Sequence, residues 1–264
     1  NEPPLRGPWQ AWLLAAIILA SYPIQTLALG GVDAAAERFG LVAASLAPGR
    51  WFTLLTALFI HGGWMHVAMN AAGALAFGAL VARFLGPRPA GVTSFFLFYL
   101  VCGVLSGLGY VALNPHSAAP VVGASGAVSG LFGAASRLIE HRPGLSPFAS
   151  RTVVGFAAAW LVTNVVLGLI GIAPGIGAVQ IAWQAHVVGY AAGLVLIGPW
   201  ARLFGAAEAG ADGWTAFTGK GFAFAARRRM LGVKTIKSWR NAVCWFLRFW
   251  RKRAMRLSHV RLGK

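Results

Sequence analysis

Residues 89–136 read PAGVTSFFLFYLVCGVLSGLGYVALNPHSAAPVVGASGAVSGLFGAAS and contain no Asp, Glu, Lys or Arg. About twenty apolar residues cross the hydrocarbon core of a bilayer, so a run of this length holds two crossings. Asn114-Pro115-His116 marks the break between them. Three further uncharged runs flank it, at residues 7–32, 51–82 and 152–201. The first two hold one crossing each, and the third holds a pair split at Pro174-Gly175-Ile176-Gly177. Six spans are expected, near residues 10–29, 64–82, 93–113, 125–139, 153–173 and 182–201, in an all-α polytopic membrane protein.

The composition agrees, since 58% of the 264 residues are hydrophobic and 34 are Gly, against 6 acidic and 23 basic side chains. A soluble domain of this size needs a far more charged surface. An even span count puts both termini on one side. Arg6, Arg83, Arg88, Arg137, Arg142, Arg151 and the basic tail all fall on that side, and only Arg38 and Arg50 fall opposite, so both termini are expected to be cytoplasmic. The first apolar stretch ends in Leu29-Gly30-Gly31-Val32 without a small-residue cleavage site and reads as a retained span rather than a signal peptide. The chain opens on Asn1 rather than Met, which leaves room for an upstream segment. Cys102 sits in the third span and Cys244 in the tail, a difference in depth that implies no disulfide framework.

Polar side chains inside the spans are where function is expected, because hydrocarbon penalises them unless they pair or line a cavity. Between Glu37 and Glu208 only Glu140 carries a carboxylate, and no Asp lies between Asp33 and Asp212. That census argues against a paired-Asp protease, a His-Glu-x-x-His zinc site, a Ser-His-Asp triad and a carboxylate-lined ion path. The polar groups that stand out are His61, His66 and Asn70 in the second span and its approach, Ser125 and Ser129 in the fourth, and Gln184 and His186 in the sixth. Counting about 1.5 Å per residue from the nearest cytoplasmic arginine puts Ser125 roughly 18 Å above Arg137, Asn70 roughly 20 Å above Arg83 and His186 roughly 24 Å above Arg202. These three share one level in a hydrocarbon core about 30 Å thick. Each alone has a plainer role. The run Gly123-Ala124-Ser125-Gly126-Ala127 suits close helix packing, and His66 and Asn70, one turn apart, suit hydrogen bonding between helices. Together, a nucleophile, a base and two polar donors at one depth are the inventory of acyl transfer.

Three motifs carry a family resemblance: His61-Gly-Gly-Trp-Met-His66-Val-Ala-Met-Asn70, Gly123-Ala-Ser125-Gly126, and Ala185-His186-Val-Val-Gly189-Tyr-Ala-Ala-Gly193. In this order, on the second, fourth and sixth of six spans, the chain resembles the rhomboid intramembrane serine proteases over roughly residues 9–204. The resemblance implies a six-transmembrane-helix bundle over residues 1–205 and a dyad of Ser125 as nucleophile with His186 as base and later acid. It implies an oxyanion site from His66, Asn70 and the Ser125 amide, with His61, Gly123, Gly126, Gly189 and Gly193 as structural support. It further implies single-span membrane protein substrates cut near the membrane, no cofactor and no metal, and a bacterial inner-membrane setting with cytoplasmic termini.

The chemistry tolerates the missing carboxylate, because a neutral His can take the serine proton while packing orients its ring, though slow turnover is expected. Gly189 and Gly193 lie on the His186 face of the sixth helix and should let it approach the fourth closely. By the same resemblance, Pro174, Gly175 and Gly177 form a flexible cap over a watery cavity. Residues 33–60, with Trp51 and Phe52, form a long first loop partly embedded in the outer leaflet. Two departures stand out. Ser129 occupies the place where the family often stacks an aromatic on the catalytic imidazole, and Phe52-Thr53 replaces a common Trp-Arg pair. The ring of His186 must be oriented by something else.

Residues 206–264 carry fourteen Lys or Arg and two acids, +12 of the chain's +17. Trp239, Trp245, Phe246, Phe249 and Trp250 interleave there with Arg240, Arg248, Arg251 and Lys252. An amphipathic or disordered tail lying on anionic lipid headgroups is expected, and nucleic-acid binding is the lesser reading. Two rival functions remain. One is an inactive rhomboid-like protein that binds transmembrane helices without cleavage. The other is a transporter, for which repeats or a line of ionisable groups are missing.

Overall fold

The computed structural model describes residues 7–46, 49–140, 144–170 and 182–204. These residues form eight α-helices: α1 (Trp9–Ala28), α2 (Val32–Phe39), α3 (Thr53–Thr56), α4 (Trp64–Leu85), α5 (Pro89–Leu113), α6 (Ser125–Ser136), α7 (Arg151–Ile170) and α8 (Trp183–Leu203). Among the described residues the single β pairing is an antiparallel bridge between Leu41 and Val121. The fold is all-α, as the uncharged runs imply.

Helices α1, α4, α5, α6, α7 and α8 coincide with the six expected spans to within a few residues. Four of them, α1, α4, α5 and residues 151–168 of α7, are long and apolar enough to cross a membrane. The twelve residues of α6 extend only about 18 Å, and Gln184, His186 and Pro199 dilute the apolarity of α8. Length and composition alone thus support four crossings, not the expected six. Large apolar side chains face outward, including Leu13, Ile17 and Ile24 on α1 and Leu161, Val162 and Val166 on α7. Water would penalise such a surface, whereas lipid accepts it. The expected cap at residues 174–177 and the basic tail lie outside the described residues, and the division expected after residue 205 falls at their edge.

The short α6 is the central post. Every residue from Gly126 to Ser136 is buried, which a helix made largely of Gly, Ala and Ser achieves by letting its neighbours come to backbone contact. A Cβ on Gly189 of α8 would strike the Gly126 carbonyl oxygen, one on Gly193 would strike the Gly130 carbonyl oxygen, and one on Gly133 would strike the Tyr190 carbonyl oxygen. On the other side of α6, a Cβ on Gly126 would collide with the Ser106 hydroxyl of α5. Larger side chains fill the space below this seam. Phe132 meets Phe77 of α4 at 4.2 Å, Trp160 of α7 at 5.0 Å and Tyr190 of α8 at 5.4 Å between ring centroids.

The segment between α1 and α4 folds into two helices that periodicity did not anticipate, α2 and α3, with 3-10 turns at Ala43–Ser45 and Ala57–Phe59. Leu41, Leu46, Leu54 and Ala57 pack as one cluster against Val104 and Val111 of α5. Trp51 and Phe52, the expected interfacial pair, are exposed.

Candidate active site

Ser125 is the first residue of α6, and the turn before it requires glycine. Gly123 has φ +120°, and a Cβ there would lie 2.6 Å from His66 Nε2. The Gly123 N–H donates to the Ala57 carbonyl at 2.9 Å, which ties this turn to the first loop. The outcome is a serine at a helix N-terminus, where the first backbone N–H groups have no intrahelical acceptor and the dipole favours negative charge.

His186 lies in the first turn of α8, and its Nε2 is 2.7 Å from Ser125 Oγ. The close approach of α6 and α8 at their glycines makes this distance possible. Both side chains are half-buried. A hydroxyl this close to an imidazole nitrogen can transfer its proton as it attacks a carbonyl. Among the described residues, no three His, Cys, Asp or Glu side chains gather as metal ligands. Glu140 stays away from the pair, accepting from Ser146 Oγ at 2.8 Å.

His66 and Asn70 occupy one face of α4 beside Gly123. The Gly62 N–H donates to His66 Nδ1 at 3.3 Å, which leaves Nε2 as the protonated nitrogen of a neutral ring, pointing toward Gly123. Asn70 is buried, and its Nδ2 has no hydrogen-bond partner among the described residues. A buried amide donor without an acceptor is costly, and it makes sense where an acceptor arrives with a ligand. Two donors thus converge next to the turn that presents Ser125.

His61 acts one layer behind. Ser21 Oγ donates to the Ile18 carbonyl at 2.7 Å and so accepts from His61 Nδ1–H at 3.2 Å. His61 Nε2 then accepts the Ala124 N–H at 3.5 Å, immediately before the serine. The backbone of His61 is gripped by Gln25 of α1, whose Nε2 donates to the His61 carbonyl at 2.6 Å while its Oε1 accepts the His61 N–H at 2.8 Å. Gln25→Leu strands both backbone groups in an apolar site, at about 1–3 kcal/mol for each. The thermal midpoint of the detergent-solubilised protein should fall by several degrees, and an unchanged midpoint would refute the clamp.

Two of the polar side chains that stood out in the spans do not reach the reacting atoms of the pair. Gln184 Nε2 donates to Asn114 Oδ1 at 3.3 Å, joining α8 to the end of α5. Ser129 Oγ donates to the Ser125 carbonyl at 2.7 Å within its own helix. A further residue joins the site that sequence reasoning passed over. His186 Nδ1 is 2.7 Å from Oδ1 of Asn164, a buried side chain on α7. The signal for it was present, because an amide in the middle of an apolar span needs a partner.

Comparison with known proteins gives the chain a family. A family model described as the rhomboid domain matches residues 48–202. The chain is 35% identical over 89 residues to the rhomboid protease GluP of Bacillus subtilis, covering 34% of this chain and 16% of that protein. It is 33% identical over 88 residues to the putative rhomboid protease YdcA of the same organism, covering 33% of this chain and 41% of that one. RHOMBOID-like protein 9, chloroplastic, of Arabidopsis thaliana is 38% identical over 86 residues, covering 33% of this chain and 18% of that relative. The matched stretches thus span less than half of each relative's length. With the family's domain matched over more than half of its residues, this chain belongs to the rhomboid family.

Proposed function

We propose that this protein is an intramembrane serine endopeptidase acting through a Ser125–His186 dyad. The observation that carries the reading is the 2.7 Å approach of Ser125 Oγ to His186 Nε2 beside the unpartnered Asn70 amide. In the first half of the reaction, Ser125 Oγ bonds to the peptide carbonyl carbon while its proton passes to His186 Nε2. The carbonyl oxygen takes up negative charge opposite the Ser125 amide, His66 Nε2–H and Asn70 Nδ2. His186 then gives its proton to the leaving amine, and an acyl-enzyme remains. In the second half, His186 takes a proton from water as the water oxygen bonds to the acyl carbon, then gives it to Ser125 Oγ as the acyl bond breaks and the new carboxylic acid leaves.

The substrates in this reading are single-span membrane proteins, cut at a site near the bilayer. The same reading sets the chain across a bacterial inner membrane in six crossings, with the arginine distribution supporting cytoplasmic termini and the basic tail lying on anionic headgroups. The test uses the full chain in detergent. Wild type should react with a fluorophosphonate and cleave a single-span test substrate, and Ser125→Ala should do neither. If the two proteins are equally inert, the chain is instead a non-catalytic binder of membrane helices. Asn70→Ala should keep the dyad yet lose about 100-fold in cleavage rate, as removal of one oxyanion donor does. A loss under about threefold would take Asn70 out of the oxyanion site.

A further inference from the structure

The environment of His186 Nδ1 supplies what the missing carboxylate and the missing aromatic leave open. Asn164 Nδ2 donates to the Trp160 carbonyl one turn earlier on α7, at 2.9 Å. Its Oδ1 therefore faces His186 Nδ1, 2.7 Å away. The reverse placement would set Oδ1 against the Trp160 carbonyl oxygen, acceptor against acceptor, so the amide has one sense only. An Oδ1 acceptor demands a proton on Nδ1. Nε2 is then the bare nitrogen, and it lies 2.7 Å from the Ser125 hydroxyl.

We propose that Asn164 is a positioning residue that holds His186 as its Nδ1–H tautomer with the ring plane aimed at Ser125. This inference rests on the dyad reading above. An unanchored imidazole populates both tautomers and rotates, and only one of these states can accept the serine proton. After proton transfer the same Oδ1 continues to accept from the imidazolium Nδ1–H, stabilising the cation with a dipole where a triad uses a charge. The turn of α7 that bears Asn164 is itself fixed. The Trp160 ring stands edge-on to Phe132 of α6 at 5.0 Å and stacks at 6.4 Å and 24° on Tyr190 of α8. A plainer role, in which Asn164 only satisfies a carbonyl of its own helix, would leave the His186 tautomer independent of it.

The experiment compares the full chain, Asn164→Leu and Asn164→Asp in detergent, all checked for an unchanged thermal midpoint and labelled with 15N-histidine. The His186 signals are assigned by their absence in His186→Gln. Wild type should carry its proton on Nδ1, and Asn164→Leu should give a tautomer mixture with fluorophosphonate labelling slowed by about 10- to 100-fold, less than the loss of a whole triad member. Asn164→Asp, which can still accept from Nδ1–H, should restore the Nδ1–H form and bring labelling back to within about tenfold of wild type. An unchanged tautomer in Asn164→Leu, or labelling equal to wild type, overturns the positioning role. A wild type that shows no Ser125-dependent labelling overturns the protease reading, and the positioning role falls with it. The wild-type sample alone tells these two failures apart.

Discussion

His186→Ala is expected to lose as much activity as Ser125→Ala, and the double variant no more than either. The two side chains share one proton across 2.7 Å, and residues that act as a unit in acyl transfer fail together rather than additively. A nucleophile without its base is an ordinary alcohol, so the rate of cleavage of a single-span test substrate in liposomes should fall by about 10⁴-fold or more in each variant. Single-turnover cleavage is the measurement to use, because it isolates chemistry from product release. If His186→Ala keeps more than about a tenth of the wild-type rate, the base is another group and the dyad assignment is wrong.

The second large effect involves no reacting atom. Gly189 and Gly193 put the α8 backbone against the carbonyl oxygens of Gly126 and Gly130, with no space for a methyl group at either point. Gly189→Leu and Gly193→Leu must therefore push α6 and α8 apart, and Ser125 and His186 ride on those two helices. A displacement of about 1 Å is worth about 100-fold in rate even when every catalytic group is present. Cleavage should become undetectable in both variants, with the protein still extracted in detergent. Gly155→Ala is the control, since nothing lies within 4 Å of the added carbon on the lipid side of α7. Helix propensity favours that change by about 1 kcal/mol, so activity should be unaltered. Full activity in Gly193→Leu would mean that the α6–α8 seam can open without cost to the site.

Much of this protein is legible in its residues. Uncharged runs longer than a soluble core requires mark the helices, because hydrocarbon excludes charge over a fixed thickness. Arg137 marks a boundary for the same reason, and Asn114-Pro115 marks one because the pair breaks a helix. The short α6 was harder to read. Its small residues look like an ordinary span, and only the packing around it reveals a twelve-residue post wrapped on all sides. Helix α3 was missed because its burial depends on contact with α5, where Leu54 packs, and α2 because its eight residues bury little beyond Ala35.

The site divides in the same way. The depth of Ser125, His186 and Asn70 follows from counting residues along helices, since rise per residue is a local constant. Asn164 could not be ranked by depth alone. An amide in a span is equally at home bonded to its own helix or to a neighbour, and here it does both, through Nδ2 to Trp160 and Oδ1 to His186. Ser129 is the counterpart case, because its hydroxyl turned back to the Ser125 carbonyl and does not reach the imidazole. By itself, then, the sequence determined that this is an all-α membrane protein of the rhomboid family, and which serine and histidine to suspect. Patterns of charge, spacing and motif order are properties of the chain. The tertiary structure alone decided that α6 and α8 meet at glycine carbonyls and that Asn164 lies against His186. Those facts depend on how far apart two helices lie and how they are rotated, which packing sets and no single segment encodes.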